Sequence, residues 1–170
     1  MNLKDKIRNI PDFPKKGILF KDITPLLKDS EALKEAIVKL ADFFRDYEID
    51  YVVGIEARGF LIGTPLALEL DKGFIPIRKP GKLPHEVLKK EYELEYGKNV
   101  LEIHKDAISD GDKILIIDDL LATGGTTYAA NKMVEELGGE VVACGFLLEL
   151  DALNGREILK DYEVRSLLID

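Results

Sequence analysis

The chain has 170 residues, of which 46% are hydrophobic and 33% charged, and its formal net charge is −8 at pH 7. This length and balance are typical of one globular domain, and no apolar run approaches the roughly 20 residues of a membrane-spanning helix. The acidic charge argues against a general nucleic-acid surface, although a local basic pocket for a small anion can coexist with it. The first residues lack the apolar core of a signal peptide, so we expect a cytoplasmic protein.

The N-terminal part of the chain is irregular before the first long helix. Residues before Pro11 favour a short helix, and two prolines and a glycine make 11–17 irregular. The apolar segment 18–27 is either a packing arm or a lid over a flat ligand. Ser30 is a candidate N-cap for a helix with four apolar residues at helical spacing, Leu33, Ile37, Leu40 and Phe44.

A strand, a tight turn and a helix follow in order. The strand is predicted at 51–55, the turn at 56–59, and the helix at 60–70 with an interruption at Pro65. Arg58 in the turn is either a solvated loop charge or a contact for phosphate or pyrophosphate, because a planar guanidinium binds phosphate bidentately.

The middle of the chain predicts an edge strand, a basic loop and a hairpin. Pro76 suggests that the strand at 73–77 lies at a sheet edge or contains a break. Residues 78–86 carry two prolines, a glycine and three cations, so they form either a solvated loop or a mobile one that closes over a reaction. The alternation at 92–97 and 100–104 predicts a hairpin flap. Glu93 and Glu95 would ordinarily be exposed strand carboxylates.

The stretch 114–127 carries the strongest functional signal. It reads as a buried strand, then Asp118 and Asp119 at the carboxyl end of that strand, then a Thr/Gly loop that runs into a helix. Such a loop presents unpaired N–H groups to an anion, and ligands of parallel sheets bind beyond the carboxyl ends of strands. The carboxylates therefore suit sugar hydroxyls and the loop suits a phosphate monoester. The alternative is an ordinary Asp-Asp and Gly-Gly turn.

The remaining elements complete an alternation of strands and helices, which predicts a parallel α/β sheet with right-handed crossovers. They are a helix that ends at Gly138, a strand at 140–148, a short helix from Asn154 and a strand at 164–168. Cys144, the one cysteine, falls in a predicted buried strand and is interpreted as a structural thiol. The two histidines, His85 and His104, do not form a metal motif, and His85 is assigned no role.

Several motifs together are similar to those of a known family. Asp-Asp-Leu-Leu-Ala-Thr-Gly-Gly-Thr at 118–126 resembles the phosphoribosyl diphosphate (PRPP) motif of type I phosphoribosyltransferases, in the form found in adenine phosphoribosyltransferases. Residues 13–26 resemble the hood of that family, and Glu-Ala-Arg-Gly-Phe at 56–60 resembles its pyrophosphate loop. The resemblance covers essentially the whole chain. It implies one domain, 1–170, with an α/β fold, a central parallel sheet flanked by helices, a small N-terminal hood at about 1–30, and a flexible loop and flap at about 78–104.

The resemblance implies a binding role for each part of the site. Phe20 would stack on adenine while the backbone of Leu19 and Lys21 reads its edge, and Leu120 would face Phe20 across the purine. Ribose hydroxyls would bind Asp118 and Asp119. The groups expected to hold the 5′-phosphate are those of the Thr/Gly loop: Ala122, Thr123, Gly124, Gly125, Thr126 and Thr127.

The same resemblance implies catalytic roles and partners. Pyrophosphate would meet Glu56, Ala57, Arg58, Arg78 and Lys82, with a non-proline cis peptide bond at 56–58. Glu95, together with Arg58 and Arg78, would be catalytic, Glu95 by handling a proton at the purine, and Tyr96 would neighbour the same centre. Mg²⁺ would be held mainly through PRPP rather than by protein ligands. A homodimer is also implied.

The expected reaction joins adenine to PRPP and gives AMP and pyrophosphate, a step of purine salvage. Two alternatives stay open. One is a PRPP-binding regulator without catalysis, for which neither the length nor the charge leaves an obvious nucleic-acid surface. The other is the same reaction on hypoxanthine, guanine or xanthine, because base choice through backbone contacts is poorly legible from a sequence.

Overall fold

The structure, a computed structural model, describes residues 1–94 and 97–170. Its strands are β1 (Arg8–Ile10), β2 (Phe20–Asp22), β3 (Tyr51–Ile55), β4 (Gly73–Ile77), β5 (Val87–Leu94), β6 (Gly97–His104), β7 (Lys113–Leu121), β8 (Glu140–Glu149) and β9 (Val164–Ile169). Its α-helices are α1 (Thr24–Lys28), α2 (Ser30–Phe44), α3 (Arg58–Glu69), α4 (Gly125–Glu136) and α5 (Gly155–Ile158). Short 3-10 helices occupy Leu3–Lys6 and Asp151–Leu153.

Five of the strands form one sheet in the order β4-β3-β7-β8-β9, and every neighbouring pair is parallel. The predicted α/β fold, a central parallel sheet flanked by helices, is confirmed. From β3 the chain passes to β4 on one side and later returns to β7 on the other side. This reversal opens a crevice at the carboxyl ends of β3 and β7, where parallel α/β sheets bind their ligands.

Alternate residues of the central strands face two different layers. Val52 of β3 packs in the layer of α2 and α3 with Leu115 and Ile117 of β7, whereas Val53 and Ile116 pack in the layer of α4 and the flap. All five side chains are fully buried, and each such burial stabilises the fold by about 1.5–3 kcal/mol. The two layers therefore hold the carboxyl ends of β3 and β7 in place.

Cys144 lies in the second of these layers, where it is fully buried. The Asn131 side-chain amide donates a hydrogen bond to its Sγ at 3.4 Å. Burial raises the pKa of the Cys144 thiol to about 12, so the thiol stays protonated at neutral pH. This environment agrees with the interpretation of Cys144 as a structural residue rather than a nucleophile.

The N-terminal region forms a small antiparallel hairpin in which β1 pairs with β2. The short helix predicted before Pro11 is a 3-10 helix, Leu3–Lys6, and β1 follows after Ile7. The segment 11–17 is irregular, as predicted. Phe13 in this segment packs its ring edge against Phe20, with 5.1 Å between the ring centroids. This contact helps to hold the Phe20 ring in place within the hood.

The predicted flap is a hairpin of β5 and β6, paired from Val87 opposite His104 to Leu94 opposite Gly97. It begins earlier than the sequence pattern at 92–97 suggested, because pairing with β6 extends the strand back to Val87. The strand β4 lies at the edge of the sheet, as Pro76 predicted. A backbone bridge between Arg78 and Glu102 connects the end of β4 to the flap.

Three predicted boundaries were wrong, one because of a local hydrogen bond and two because of tertiary contacts. Asp29, rather than Ser30, is the N-cap of α2, since its carboxylate accepts from the N–H groups of Glu31 and Ala32 at 3.1 Å. The helix α3 begins at Arg58 and continues through Pro65, because its buried face packs against the sheet and α2. The strand β7 continues to Leu121, since β8 pairs with it that far.

Within the two described ranges, no helix has the length and apolar character needed to cross a membrane.

Candidate active site

Two adjoining cavities open in the crevice at the ends of β3 and β7, each with a volume of about 190 Å³. The loop cavity is lined by residues 120–127, and the flap cavity by residues 55–57, Lys79 and residues from both strands of the flap. Both cavities share four wall residues, which are Arg58, Asp118, Asp119 and Thr126. A carboxylate pair and one arginine thus stand between two open volumes.

The loop cavity is built by the turn between β7 and α4. Gly124 is the N-cap of α4 with a φ of +89°, a left-handed conformation that glycine adopts without strain. A Cβ at this position would lie 2.6 Å from the carbonyl oxygen of Gly155, so the start of α5 backs the loop closely. The first N–H groups of a helix lack intrahelical partners, and those of α4 begin at Gly125 beside the cavity. An anion is the natural occupant of this cavity.

The two carboxylates occupy different environments although they are adjacent. Asp119 is buried and its Oδ2 lies 3.0 Å from the Nε of Arg58. Asp118 is half-buried, and its Oδ1 accepts from the backbone N–H of Asp119 at 2.8 Å. Burial, followed by the negative charge of Asp119, raises the pKa of Asp118 well above its usual range. Asp119 therefore carries the paired negative charge of the site, and Asp118 ionises less readily.

The flap cavity begins at the turn after β3. The Glu56–Ala57 peptide bond is cis, as the resemblance implied. Glu56, Ala57 and Arg58 line this cavity together with Lys79. Gly59 in the first turn of α3 approaches β7 so closely that a Cβ there would lie 2.9 Å from Oδ1 of Asp118. This close approach brings the turn after β3 against the carboxylates.

The three cations of the basic loop after β4 lie in three different surroundings. Arg78 and Lys82 are absent from the described walls of both cavities. Arg78 instead pairs with Glu56 at 2.7 Å, and its guanidinium lies 5.9 Å from the ring centroid of Phe60. Lys82 is exposed. Lys79 lines the flap cavity but was not singled out, although its position between the two predicted cations was the available signal.

The hood contributes Phe20 to the edge of this site. The Arg58 guanidinium lies 5.1 Å from the Phe20 ring centroid, so one cation contacts both the hood and Asp119. Leu19 is exposed, whereas the Lys21 ammonium pairs with Asp170 and donates to Asn9 at 2.8 Å. Leu120 lines the loop cavity. The structure thus connects Phe20 with the carboxylates through Arg58.

The flap supplies residues that the sequence did not single out. Tyr92 of β5 and Asn99 of β6 face each other across the hairpin, and both line the flap cavity. The predicted proton-handling residue, Glu95, and its neighbour Tyr96 lie outside the described residues. Alternation along β5 was the signal that could have identified Tyr92.

The raised pKa of Asp118 predicts a pH-dependent effect of Asp118→Asn on stability. A carboxyl group whose folded pKa is raised contributes stability at low pH, and that stability is lost as the pH rises through the raised value. At about pH 8 the neutral variant should therefore melt about 2–4 °C higher than the wild type, and the difference should shrink towards about pH 4. Thermal unfolding at both pH values tests this. An equal loss of stability at both would contradict it.

Known proteins resemble this chain along nearly its whole length. The family model of the phosphoribosyl transferase domain matches residues 24–170. The adenine phosphoribosyltransferase of Halothermothrix orenii is 66% identical, and the match covers 99% of both chains. The crystal structure of the enzyme of that name from Thermoanaerobacter pseudethanolicus has a TM-score of 0.97 and 56% identity, covering 99% of this chain and 98% of the other.

A third relative was crystallised with ligands. The adenine phosphoribosyltransferase of Saccharomyces cerevisiae, in complex with an imino-altritol bisphosphate and adenine, has a TM-score of 0.91 and 44% identity, covering 98% of this chain and 96% of that one. Its fold therefore matches across both cavities. With a family match over most of its length and a relative at 66% identity, the chain belongs to the adenine phosphoribosyltransferase family.

Proposed function

We propose that this protein transfers the 5-phosphoribosyl group of PRPP to adenine, with AMP and pyrophosphate as products. The observation that carries this proposal is the position of Asp118, Asp119 and Arg58 between two cavities of similar volume. PRPP has a ribose between a 5′-phosphate and a pyrophosphate, so its three parts match the loop cavity, the carboxylates and the flap cavity. The relatives' shared name supports adenine as the acceptor.

In this proposal the loop cavity holds the 5′-phosphate. The N–H groups at the start of α4 and the hydroxyls of Thr123, Thr126 and Thr127 line or adjoin it. Asp118 and Asp119 accept hydrogen bonds from the ribose hydroxyls, and the negative charge of Asp119 stabilises the positive charge that develops on the ribose ring. Binding all three parts of PRPP holds the anomeric carbon in line for attack by the purine nitrogen.

The flap cavity is proposed to hold pyrophosphate through the turn at 56–58 and the basic loop. Arg58 and Lys79 already line it. Arg78 and Lys82 would add their charges once the basic loop moves towards the bound pyrophosphate, and Arg78 would then leave Glu56. Movement of such a loop also excludes water from the reacting centre.

Adenine is proposed to stack on Phe20. One face of the Phe20 ring lies on the side of the carboxylates, since the Arg58 guanidinium that pairs with Asp119 lies over it. Leu19 and Lys21 flank Phe20 in the hood, and their backbone groups are proposed to read the purine edge. Leu120 is proposed as the apolar surface opposite Phe20.

Mg²⁺ is proposed to bind together with PRPP. In the described part of the chain, no three His, Cys, Asp or Glu side chains are grouped as a metal cage. Mg²⁺ keeps several waters and binds phosphate oxygens readily, and when bound it neutralises charge on the leaving pyrophosphate. Activity assays with and without a chelator, followed by Mg²⁺ addition, test this requirement.

A base panel with PRPP and Mg²⁺ tests the proposed function. Adenine, hypoxanthine, guanine and xanthine are supplied separately, and nucleotide and pyrophosphate are measured. We expect adenine to be converted to AMP with one pyrophosphate released for each AMP. Conversion of another base while adenine fails would overturn the assignment of adenine as the substrate. Tight PRPP binding without turnover of any base would instead identify a regulator.

Glu95 is proposed to handle the proton at the purine, which predicts the effect of Glu95→Gln. The amide cannot exchange a proton, so kcat should fall by about 10²- to 10⁴-fold while KM for PRPP changes little. Glu93→Gln is a matched control, because Glu93 is an exposed carboxylate on the same flap. Steady-state kinetics of both variants check this, and wild-type turnover by Glu95→Gln would remove Glu95 from the mechanism.

A homodimer in the cytoplasm is the proposed state of the protein. Leu61, Pro65 and Leu68 recur at helical spacing on α3, and Leu61 and Leu68 are exposed by 49% and 76%. An apolar stripe of this kind is typical of an interface. The phosphorylated substrates do not cross membranes unaided, which supports the cytoplasm as the location. The molar mass in solution tests the dimer.

A further inference from the structure

A contact between two hydroxyl groups joins the flap to the end of the Thr/Gly loop. The phenol oxygen of Tyr92 in β5 lies 3.2 Å from Oγ1 of Thr126 in the first turn of α4. Tyr92 lines the flap cavity, and Thr126 lines both cavities. The contact therefore lies where the space for the 5′-phosphate meets the space enclosed by the flap.

We propose that Tyr92 is a positioning residue for PRPP, which acts by orienting the Thr126 hydroxyl towards the 5′-phosphate. This inference rests on the proposed function, in which Thr126 contacts that phosphate. Either hydroxyl can donate in the contact when the site holds no phosphate. The oxygens of a phosphate in the loop cavity act as acceptors, so the Thr126 hydroxyl donates its proton to the phosphate. The Thr126 oxygen then accepts a hydrogen bond from the Tyr92 hydroxyl.

The result is two consecutive hydrogen bonds, one from the Tyr92 O–H to Thr126 and one from the Thr126 O–H to the phosphate. Hydrogen bonds in such a chain polarise and strengthen one another. A threonine hydroxyl without the tyrosine would still rotate among several orientations, and binding would then have to restrict it. The contact with Tyr92 limits the Thr126 hydroxyl to two orientations before the phosphate arrives, one donating to Tyr92 and one accepting from it, so binding has less freedom to restrict. This is an effect on substrate affinity rather than on the chemical step.

The packing of β5 shows that the Tyr92 ring is held independently of its hydroxyl. Tyr92 is half-buried and its ring packs against the apolar layer of α4. Leu88, four residues earlier in β5, packs against the same layer. Lys90 adds an ion pair with Glu136 at 2.6 Å, at the far end of α4. Tyr92→Phe should therefore remove the hydroxyl and leave the flap docked.

Tyr162→Phe is a matched control for this substitution. The Tyr162 hydroxyl also donates to a side chain of α4, Glu135 Oε1 at 2.7 Å, but Tyr162 is absent from the described walls of both cavities. Each variant loses one phenol hydroxyl that contacts α4. A merely structural role for Tyr92 predicts the same behaviour from both variants.

The experiment measures binding of two probes, ribose 5-phosphate and pyrophosphate, by calorimetry to the wild type, Tyr92→Phe and Tyr162→Phe. Tyr92→Phe should bind ribose 5-phosphate about 3- to 10-fold more weakly and pyrophosphate unchanged. It should also raise KM for PRPP while kcat stays within about twofold. Tyr162→Phe should match the wild type in every measurement.

A double variant makes the result specific to the Thr126 contact. Thr126→Val weakens ribose 5-phosphate binding on its own, and adding Tyr92→Phe should then weaken it no further, because the hydroxyl that Tyr92 orients is gone. Wild-type affinity of Tyr92→Phe, additive losses in the double variant, or equal weakening of both probes would overturn the inference. A wild type that binds ribose 5-phosphate but converts no base would instead refute the proposed function.

Discussion

Asp119→Asn is expected to lower kcat/KM for PRPP by about 10²- to 10³-fold. The variant keeps the size of the side chain but removes the negative charge that is proposed to face the developing positive charge on the ribose. It also leaves Arg58 without its ion-pair partner, which lies 3.0 Å away in the wild type. Since Asp119 is buried, water cannot compensate for the lost carboxylate charge. Steady-state kinetics with varied PRPP give the measurement.

Asp42→Asn is the control for this prediction. Asp42 pairs with Arg45 at 2.7 Å on the exposed surface of α2. The change therefore removes an aspartate–arginine pair that does not line either cavity as described. Surface pairs of this kind contribute little to stability. Its activity should equal that of the wild type. Undiminished PRPP binding and turnover by Asp119→Asn would argue against the ribose assignment.

Gly124→Ala is expected to abolish most PRPP binding and to destabilise the protein. A left-handed conformation costs an alanine about 1–2 kcal/mol, and the added Cβ would lie 2.6 Å from both the Gly155 carbonyl oxygen and Cγ2 of Ile158. The Gly155 oxygen belongs to the backbone, so this contact cannot be relieved without moving the loop that forms the cavity. PRPP affinity should fall at least about tenfold and the free energy of unfolding by about 2–4 kcal/mol.

Gly111→Ala separates the cost of the left-handed conformation from the cost of the close contacts at Gly124. Gly111 has a φ of +83° with open space around its Cβ position, and it precedes β7 at the amino end of the strand. This control should lose only the conformational part of the stability and should keep wild-type PRPP affinity. Calorimetric binding and denaturant unfolding of both variants supply the comparison, and equal effects on binding would show that the closeness of Gly155 is unimportant.

Much of the site could be predicted because its residues are close in the sequence. Asp118 and Asp119 lie near the carboxyl end of β7 and the loop up to Thr127 follows it, so that one strand and the start of α4 position them all. Arg58 was placed at the end of β3 by the same argument, and the order of the sheet then brought both strand ends together. Hydrophobic periodicity is a local property, so it located the strands and helices well.

Contacts between distant segments could not be predicted in this way. Nothing local shows that Arg78 turns to Glu56, that Lys79 faces the flap cavity or that Tyr92 reaches Thr126. Each depends on where two separately encoded elements come to rest.

The sequence by itself determined the α/β alternation, the strand ends that carry the site and the family to which these motifs point. Hydrophobic periodicity and glycine-rich turns are local patterns, and each specifies its feature within a few residues of the chain. Only the tertiary structure decided that burial and the neighbouring Asp119 charge raise the pKa of Asp118, and that Arg58 pairs with Asp119. It also decided which cations face the cavities, since a side chain's direction depends on the packing of the elements around it.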